Sequence, residues 1–276
     1  MPRISAVIIA RNEEANIRYC LDTLRWCDEI ILVDMESQDR TVAIAREYTD
    51  KIHTHPVIPN FDEARKSAVE KATGDWILIV DADEMIPKGL SDKLRAITCD
   101  NYADVVYMPF KTHIMGVWIK HACWWPDYHP RLFRRGMIDF TDTLHSYMAV
   151  SPSARVLRLA ALEEDAVEHF AYADSADFVS KLNRYTSIEA QRLSETGKAF
   201  SVARMCGAAT REFLLRYIIG GGLRDGHRGF FLSIMMAFYR ALVHVKLWEK
   251  QNTPGCPVND KYREAKDRLI SQYRKP

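Results

Sequence analysis

Four short apolar runs, each closed by charge, pattern the first third of the chain. Ile4 to Ala10 reads as a buried strand ending in Arg11-Asn12-Glu13-Glu14. Glu29 to Asp34 is a second apolar run that closes on an acid, and Lys51 to His55 is a short third strand stopped by Pro56. The fourth, Trp76 to Val80, is uninterrupted and leads into Asp81-Ala-Asp83-Glu84. Continuous runs of this kind fit strands buried on both faces of a parallel sheet. Between them the spacing turns helical. Ile17, Leu21 and Leu24 share one face, and Val42, Ala45 and Tyr48 share another, with Ser37 as the expected cap. Asn60 to Ala72 reads as a helix carrying Arg65 and Lys66, ended by Gly74. Strands alternating with helices predict an α/β fold around a doubly wound, mostly parallel sheet.

After residue 98 the pattern changes. Asp104 to Phe110 and His113 to Ile119 are short and β-rich, with Gly116 near a turn, and an aromatic, basic segment runs from Cys123 to Arg135. A smaller mixed sheet is expected here. Asp174 to Leu193 reads as a helix with Phe178, Leu182, Tyr185 and Ile188 at helical spacing. Two apolar helices follow, one ending at Gly220-Gly221-Gly222 and one over Gly229 to Trp248. The second is long enough to span a bilayer, which takes about 20 apolar residues. Arg240, His244 and Lys246 interrupt it, and one Arg or Lys at a bilayer centre costs about 2.5–3.5 kcal/mol. The expected organisation is a catalytic domain over 1–173, divided into halves 1–98 and 99–173, and a helical basic extension over 174–276.

Composition sharpens that division. The 276 residues carry a formal net charge of +1 and are 47% hydrophobic, enough for one large domain with an extension. The overall charge does not mark a nucleic-acid binder. It is uneven, however: residues 1–176 hold 20 Lys+Arg against 28 Asp+Glu, and residues 177–276 hold 18 against 9. An acidic half joined to a basic one suggests two jobs. The six cysteines form no C-x-x-C pair, which argues against zinc and thioredoxin-like motifs and for reduced thiols in a cytosolic protein. The apolar run at the start is too short for a secretory signal.

The candidate chemistry lies at the strand ends. Ligands of open α/β sheets bind outside the carboxyl ends of the strands. Asp81, Asp83 and Glu84 stand together there, and a hard divalent cation such as Mg2+ or Mn2+ is the natural partner for such a cluster, sharing its shell with substrate phosphates. The plainer reading is an acidic turn before a helix that Pro87 starts. Neither G-x-G-x-x-G nor G-x-x-x-x-G-K-[ST] is present. Asp34 can accept from ribose hydroxyls or a base N–H, or can simply start a helix, and Arg65 or Lys66 can neutralise a diphosphate.

Together these stretches resemble the nucleotide-sugar domain of an inverting family 2 glycosyltransferase with the A-type glycosyltransferase fold. The matching pieces are Ser5 to Glu13, Ile30 to Asp34, Asn60 to Arg65 and Gly74 to Glu84, covering roughly residues 4–97. Trp125 to Arg134, Val167-Glu168-His169 and Asp225 to Phe230 resemble the lipopolysaccharide-core glucosyltransferase branch. The resemblance implies that Ala10, Arg11, Asn12, Glu13 and Asp34 hold the uridine of a UDP-sugar, with Arg65 near the nucleotide. It implies that Asp83 binds the metal, that Asp81 contacts the ribose or the metal shell, and that His169 is a late third ligand; a lone His is more often structural. One departure stands out. Relatives often carry His-Glu where this chain has His145-Ser146, so the usual base is replaced, with Asp127 and Asp142 the nearby candidates. Asp127 is preferred for its aromatic surroundings, against a structural turn acid beside Pro126.

The expected reaction is a single displacement at the anomeric carbon, in which a carboxylate base deprotonates the hydroxyl of a glycan or lipid-linked acceptor. A sugar-1-phosphate nucleotidyltransferase is the first alternative, though its glycine-rich loop is not seen here; a non-catalytic sugar-nucleotide-binding module is the second. The basic tail has two readings. Its helices pack on the catalytic domain or form a homo-oligomer core, or they lie on the inner face of the cytoplasmic membrane with arginines on anionic lipid.

Overall fold

The computed structural model describes residues 1–58, 61–140, 148–252 and 258–273. In its first half β1 (Ile4–Ala10), β2 (Glu29–Asp34), β3 (Ile52–Thr54) and β4 (Trp76–Asp81) alternate with α1 (Ile17–Asp22), α2 (Thr41–Ala45) and α3 (Phe61–Lys71). β1 is buried at all seven positions and runs parallel to both β2 and β4. Its side chains alternate between two cores. Ile4, Ala6, Ile8 and Ala10 pack with Ile17 and Leu21 of α1 and with Leu90 and Leu94 of a later helix, while Val7 and Ile9 pack with Ala64 and Ala68 of α3. Each such Leu or Ile contributes ~1.5–3 kcal/mol on burial. The register sets Ile9 beside Asp81 and Ala10 beside Asp34, so the carboxyl ends of these strands finish together.

Two details differ from the sequence reading. Ser37 does not cap α2, which begins at Thr41; its hydroxyl instead accepts the Asn12 N–H at 2.9 Å, where Asn12 turns the chain at φ 55°. Asparagine tolerates that left-handed turn better than most residues. Tyr48 lies beyond the end of α2 but still packs on the first core.

The second half contains β5 (Glu84–Met85), α4 (Lys88–Asp100), β6 (Val105–Ile114), β7 (Val117–Trp118), β8 (Asp127–Arg134), β9 (Ile138–Asp139), β10 (Ala149–Val150), β11 (Val156–Arg158) and β12 (Val167–Tyr172). β6 runs unbroken through Lys111 and Thr112, where two separate strands were expected. Those polar residues fit because β12 lies alongside: Lys111 Nζ donates to Glu168 Oε1 at 3.0 Å, and Thr112 faces His169 in register. The turn comes at Met115-Gly116, and β7 folds back on β6. The mixed strands join the parallel half where β8 pairs antiparallel with β4, giving one ten-stranded sheet, while β9 and β10 form a separate antiparallel pair.

The sheet then curls. Its order is β3-β2-β1-β4-β8-β6-β12-β5, yet β5 follows β4 almost at once in the chain. The far edge of the sheet therefore returns to the end of β4, and His169 of β12 pairs with Glu84.

The C-terminal part is helical: α5 (Ser175–Glu195), α6 (Val202–Leu214), α7 (Gly226–Asn252) and α8 (Val258–Ser271). The Asp174 carboxylate caps α5 by accepting the Asp177 N–H at 2.8 Å. Phe178 and Leu182 of α5 and Leu232 of α7 form a third core with Ile114 and Ile119. Asp225 accepts the backbone N–H of His121 at 3.0 Å and pairs with its ring nitrogen at 2.8 Å, and Arg216 donates to Ala122 O at 2.9 Å. A β-carbon at Gly229 would stand 1.9 Å from Gly222 O, so only glycine lets the first turn of α7 lie against Gly222. The Asp225 to Phe230 stretch is thus a seam fastening the helices to the β7–β8 loop.

Candidate active site

A cleft of about 590 Å³ opens at the shared carboxyl edge of β1 and β4. Arg11, Asn12 and Glu13 enter from the end of β1, Asp81 and Asp83 from the end of β4, Arg65 from α3, and His169 and Tyr172 from β12. The β1 loop is tied in place by its own polar groups: Asn12 Oδ1 accepts the Gln38 N–H at 2.8 Å, and the Glu13 N–H donates to Thr41 Oγ1 at 2.7 Å. Burial, reinforced by Asp83, pushes the Glu13 carboxyl up despite its hydrogen bond from Asn16.

Positive charge does stand among the carboxylates after β4, and arginines supply it. Arg65 Nη2 donates to both Asp81 oxygens at 2.8 and 2.9 Å, and Arg131 Nη2 reaches Asp81 Oδ2 at 2.9 Å and also Glu84. Burial alone would raise the Asp81 carboxyl, but the two guanidinium groups outweigh it and hold Asp81 well below the usual carboxylate range. Glu84 is the opposite case. Burial raises it, and nearby Asp81 adds to that against the pull of Arg131.

Asp83 is left to face the cleft with His169. Its Oδ2 lies 3.7 Å from His169 Nε2, and the Phe170 N–H donates to Asp83 O at 2.9 Å, so backbone pairing sets the two side chains opposite each other. Burial lowers the His169 pKa, and Asp83 more than restores it, leaving it raised. Among the described residues no three His, Cys, Asp or Glu side chains gather around one point. A divalent cation that shares its shell with phosphates uses only one or two protein carboxylates. An oxygen and a nitrogen at this separation fit such a two-residue hold.

The other candidates are placed differently. Ala10 and Asp34 end their strands side by side but do not line the cleft; the Asp34 carboxylate accepts the Ser37 N–H at 3.1 Å. Asp127 begins β8 opposite Phe110, is exposed and outside the cleft lining, and pairs with His129 Nε2 at 3.0 Å. Partial desolvation by neighbouring groups raises its carboxyl, but His129 outweighs this and holds it below the ordinary value. Asp142, His145, Ser146 and Asn60 lie outside the described residues.

The sequence reading missed one wall. Lys181, Arg184, Tyr185, Ile188, Glu189 and Arg192 line the cleft from α5, with Tyr239 from α7. They recur every three or four residues, so they share a helix face. Tyr185 and Ile188 read as core positions, whereas the interleaved Lys181, Arg184 and Arg192 were the available sign of a face turned to an anion. Arg131 was also missed; on a strand beside Leu132 and Phe133 its burial is visible only in three dimensions.

The family model of glycosyl transferase family 2 matches residues 5–158. An uncharacterized glycosyltransferase of Rickettsia felis is 29% identical over 264 residues, covering 90% of this chain and 90% of its own. The lipopolysaccharide core biosynthesis glycosyltransferase LpsC of Rhizobium meliloti is 25% identical over 264 residues, covering 93% of this chain and 96% of its own. Among solved structures, glucosyl-3-phosphoglycerate synthase from Mycobacterium tuberculosis in complex with Mn2+ and UDP-glucose is 25% identical at a TM-score of 0.34, over 41% of this chain and 44% of that one. The chain thus spans less than half of that structure and nearly the whole of the two bacterial relatives. The curled, mostly parallel sheet with its small antiparallel pair is the A-type glycosyltransferase architecture. This chain belongs to glycosyl transferase family 2 and is a glycosyltransferase.

Proposed function

We propose that the enzyme moves a hexose, glucose first among the candidates, from a UDP-sugar to a hydroxyl of a glycan or lipid-linked acceptor, inverting the anomeric carbon with the help of a divalent cation. The observation that carries this reading is Asp83 Oδ2 standing 3.7 Å from His169 Nε2 in the cleft that Arg11, Arg65 and the α5 cations also line. Asp83 and His169 would hold the ion, and the mixed oxygen and nitrogen donors favour Mn2+ over Mg2+. Such an ion, when bound, offsets the charge that grows on a diphosphate leaving group. Ala10 to Glu13 and Asp34 are assigned to the uridine. Asp81 holds Arg65 at the cleft wall, where its charge faces the nucleotide.

Asp127 is the preferred base and Asp142 the second. With its pKa lowered, Asp127 is ionised at neutral pH and able to take the acceptor's proton as its oxygen attacks. General-base help of this kind is worth roughly 10²–10⁴-fold. Similarity to LpsC of Rhizobium meliloti supports an acceptor in lipopolysaccharide or cell-surface polysaccharide synthesis. The test is UDP release from UDP-glucose with Mn2+ or Mg2+, repeated in EDTA. Release that needs the metal, and that falls ~10²–10⁴-fold in Asp127→Asn, is expected; release undiminished by EDTA contradicts the reading.

The same reading places the enzyme in the cytoplasm, peripheral on the inner face of the membrane. Gly222–Asn252 contains an 18-residue window with a mean hydropathy of 1.5, and so passes for a membrane span by length and composition. Yet α7 packs on α5 and α6: Arg240 bonds Glu189 and Glu212, and Lys246 bonds Asn183 and Thr186. Its outer face presents Phe231, Ile234, Phe238, Val245 and Trp248, all exposed, and Ile218, Ile219 and Leu223 extend the apolar surface. Arg211, Arg224 and Arg228 are exposed in the same region. Apolar residues with basic neighbours suit the headgroup layer of an anionic membrane. Full-length protein is expected to co-sediment with anionic liposomes at low salt and to be released by high salt, with Ile219→Asp/Phe238→Asp staying soluble. Wild type that remains in the supernatant with twice the monomer mass assigns the face to a second copy instead.

A further inference from the structure

We infer that the acceptor's sugar ring seats in a second cavity, about 230 Å³, that shares a wall with the cleft. The inference rests on the glycosyl-transfer reading and names the acceptor subsite it lacks. Tyr172, Tyr185, Glu189 and Tyr239 line both spaces, whereas Trp124, Phe178, Leu182, Met236 and Arg240 line only the second. Tyr172 follows His169 by three residues on β12, so a molecule in this cavity stands next to the place assigned to the metal and diphosphate.

The lining chooses the ligand class. Most of it is aromatic or aliphatic, and Trp124 is held in place: the Tyr172 ring meets it edge-on at 6.2 Å, and the Arg216 guanidinium lies 5.3 Å from its ring centre. The charged groups belong to one neutral set, in which Arg240 bonds both Glu189 and Glu212 and Arg216 balances Glu212. Arg240 Nη1 donates to Glu189 Oε1 at 3.0 Å, and Tyr239 OH donates to Glu189 Oε2 at 2.7 Å. The Glu189 and Arg240 side chains remain 33% and 37% exposed, so both keep unused hydrogen-bonding sites. A neutral set selects neither an anion nor a cation. An acyl chain would strip water from it without replacing the lost hydrogen bonds. A pyranose meets both demands, with a C–H face for the aromatic walls and a rim of hydroxyls that accept from Arg240 and donate to Glu189. Mostly apolar walls with a few placed polar groups are the usual form of a small-molecule site.

The experiment measures sugar binding without the donor. Saturation-transfer NMR is run on the full chain with a panel of methyl hexopyranosides, alone and after Met236→Trp, which fills the cavity, or Trp124→Ala, which removes one wall. The expected result is saturation transfer to at least one glycoside at millimolar concentration, weakened at least tenfold by either variant. Calorimetry with UDP and Mn2+ on the same samples should give equal UDP affinity in all three proteins, showing that the variants are folded. Wild type that saturates no glycoside, or saturation that survives Met236→Trp, overturns the subsite. Wild type that fails to bind UDP overturns the donor reading instead and leaves the sugar result standing on its own.

Discussion

Glu29 opens β2 inside the protein and is bonded from every side. Its carboxylate accepts from the Thr73 N–H and Thr73 Oγ1, both at 2.8 Å, and pairs with Ser5 Oγ and with Lys51. Burial would raise its pKa, but these partners outweigh burial and lower it to about 2. A carboxyl whose folded pKa is depressed contributes stability above its unfolded value, and that contribution is lost as the pH falls through the folded one. The thermal stability of the wild type is therefore expected to fall between about pH 4.5 and pH 2, with Glu29→Gln flatter across that window. At pH 7 the substitution should cost about 2 kcal/mol, the scale of one hydrogen bond to a charged group. Equal pH profiles for the two proteins would show that Glu29 is not held as its contacts imply. Arg131 illustrates the same chemistry at the site. It lets Asp81 and Glu84 lie close together, and Asp83 is left to pair through its side chain with His169.

At the level of elements, legibility followed the burial of both faces. β1, β2 and β4 are continuous apolar runs because helices cover the sheet on both sides, so their positions and the acids at their ends could be read directly. β6 could not, since its polar Lys111 bonds Glu168 of β12, about 57 residues further along the chain, and Thr112 lies in register with His169 there. β5 is two residues long and exists only because the sheet curls back on β12. The α5 wall was hidden for a different reason. A helix that packs Phe178 and Leu182 into a core while turning Tyr185 and Ile188 to a cleft has one apolar stripe serving two surroundings, and spacing alone does not separate them. The pairing of Asp83 with His169 was suggested by family resemblance; the reason for it, an antiparallel bridge between β5 and β12, needed the fold.

On the scale of the whole molecule, the acidic first part and the basic last part meet at the cleft: carboxylates come from the ends of β1 and β4, and cations come from α5. The seam at His121, Asp225 and Gly229 fastens the two parts together, so the helices that show an apolar outer face also build the inner wall of the site. In the proposed reaction Asp83 and His169 would hold the cation that glycosyl transfer uses. Titration of Mn2+ into the protein with UDP present, followed by loss of the free-ion signal in electron paramagnetic resonance, tests it most directly. Wild type is expected to take up one Mn2+ per chain, with affinity at least tenfold weaker in His169→Ala and no saturable uptake in Asp83→Ala. Uptake by Asp83→Ala equal to that of the wild type would contradict the account.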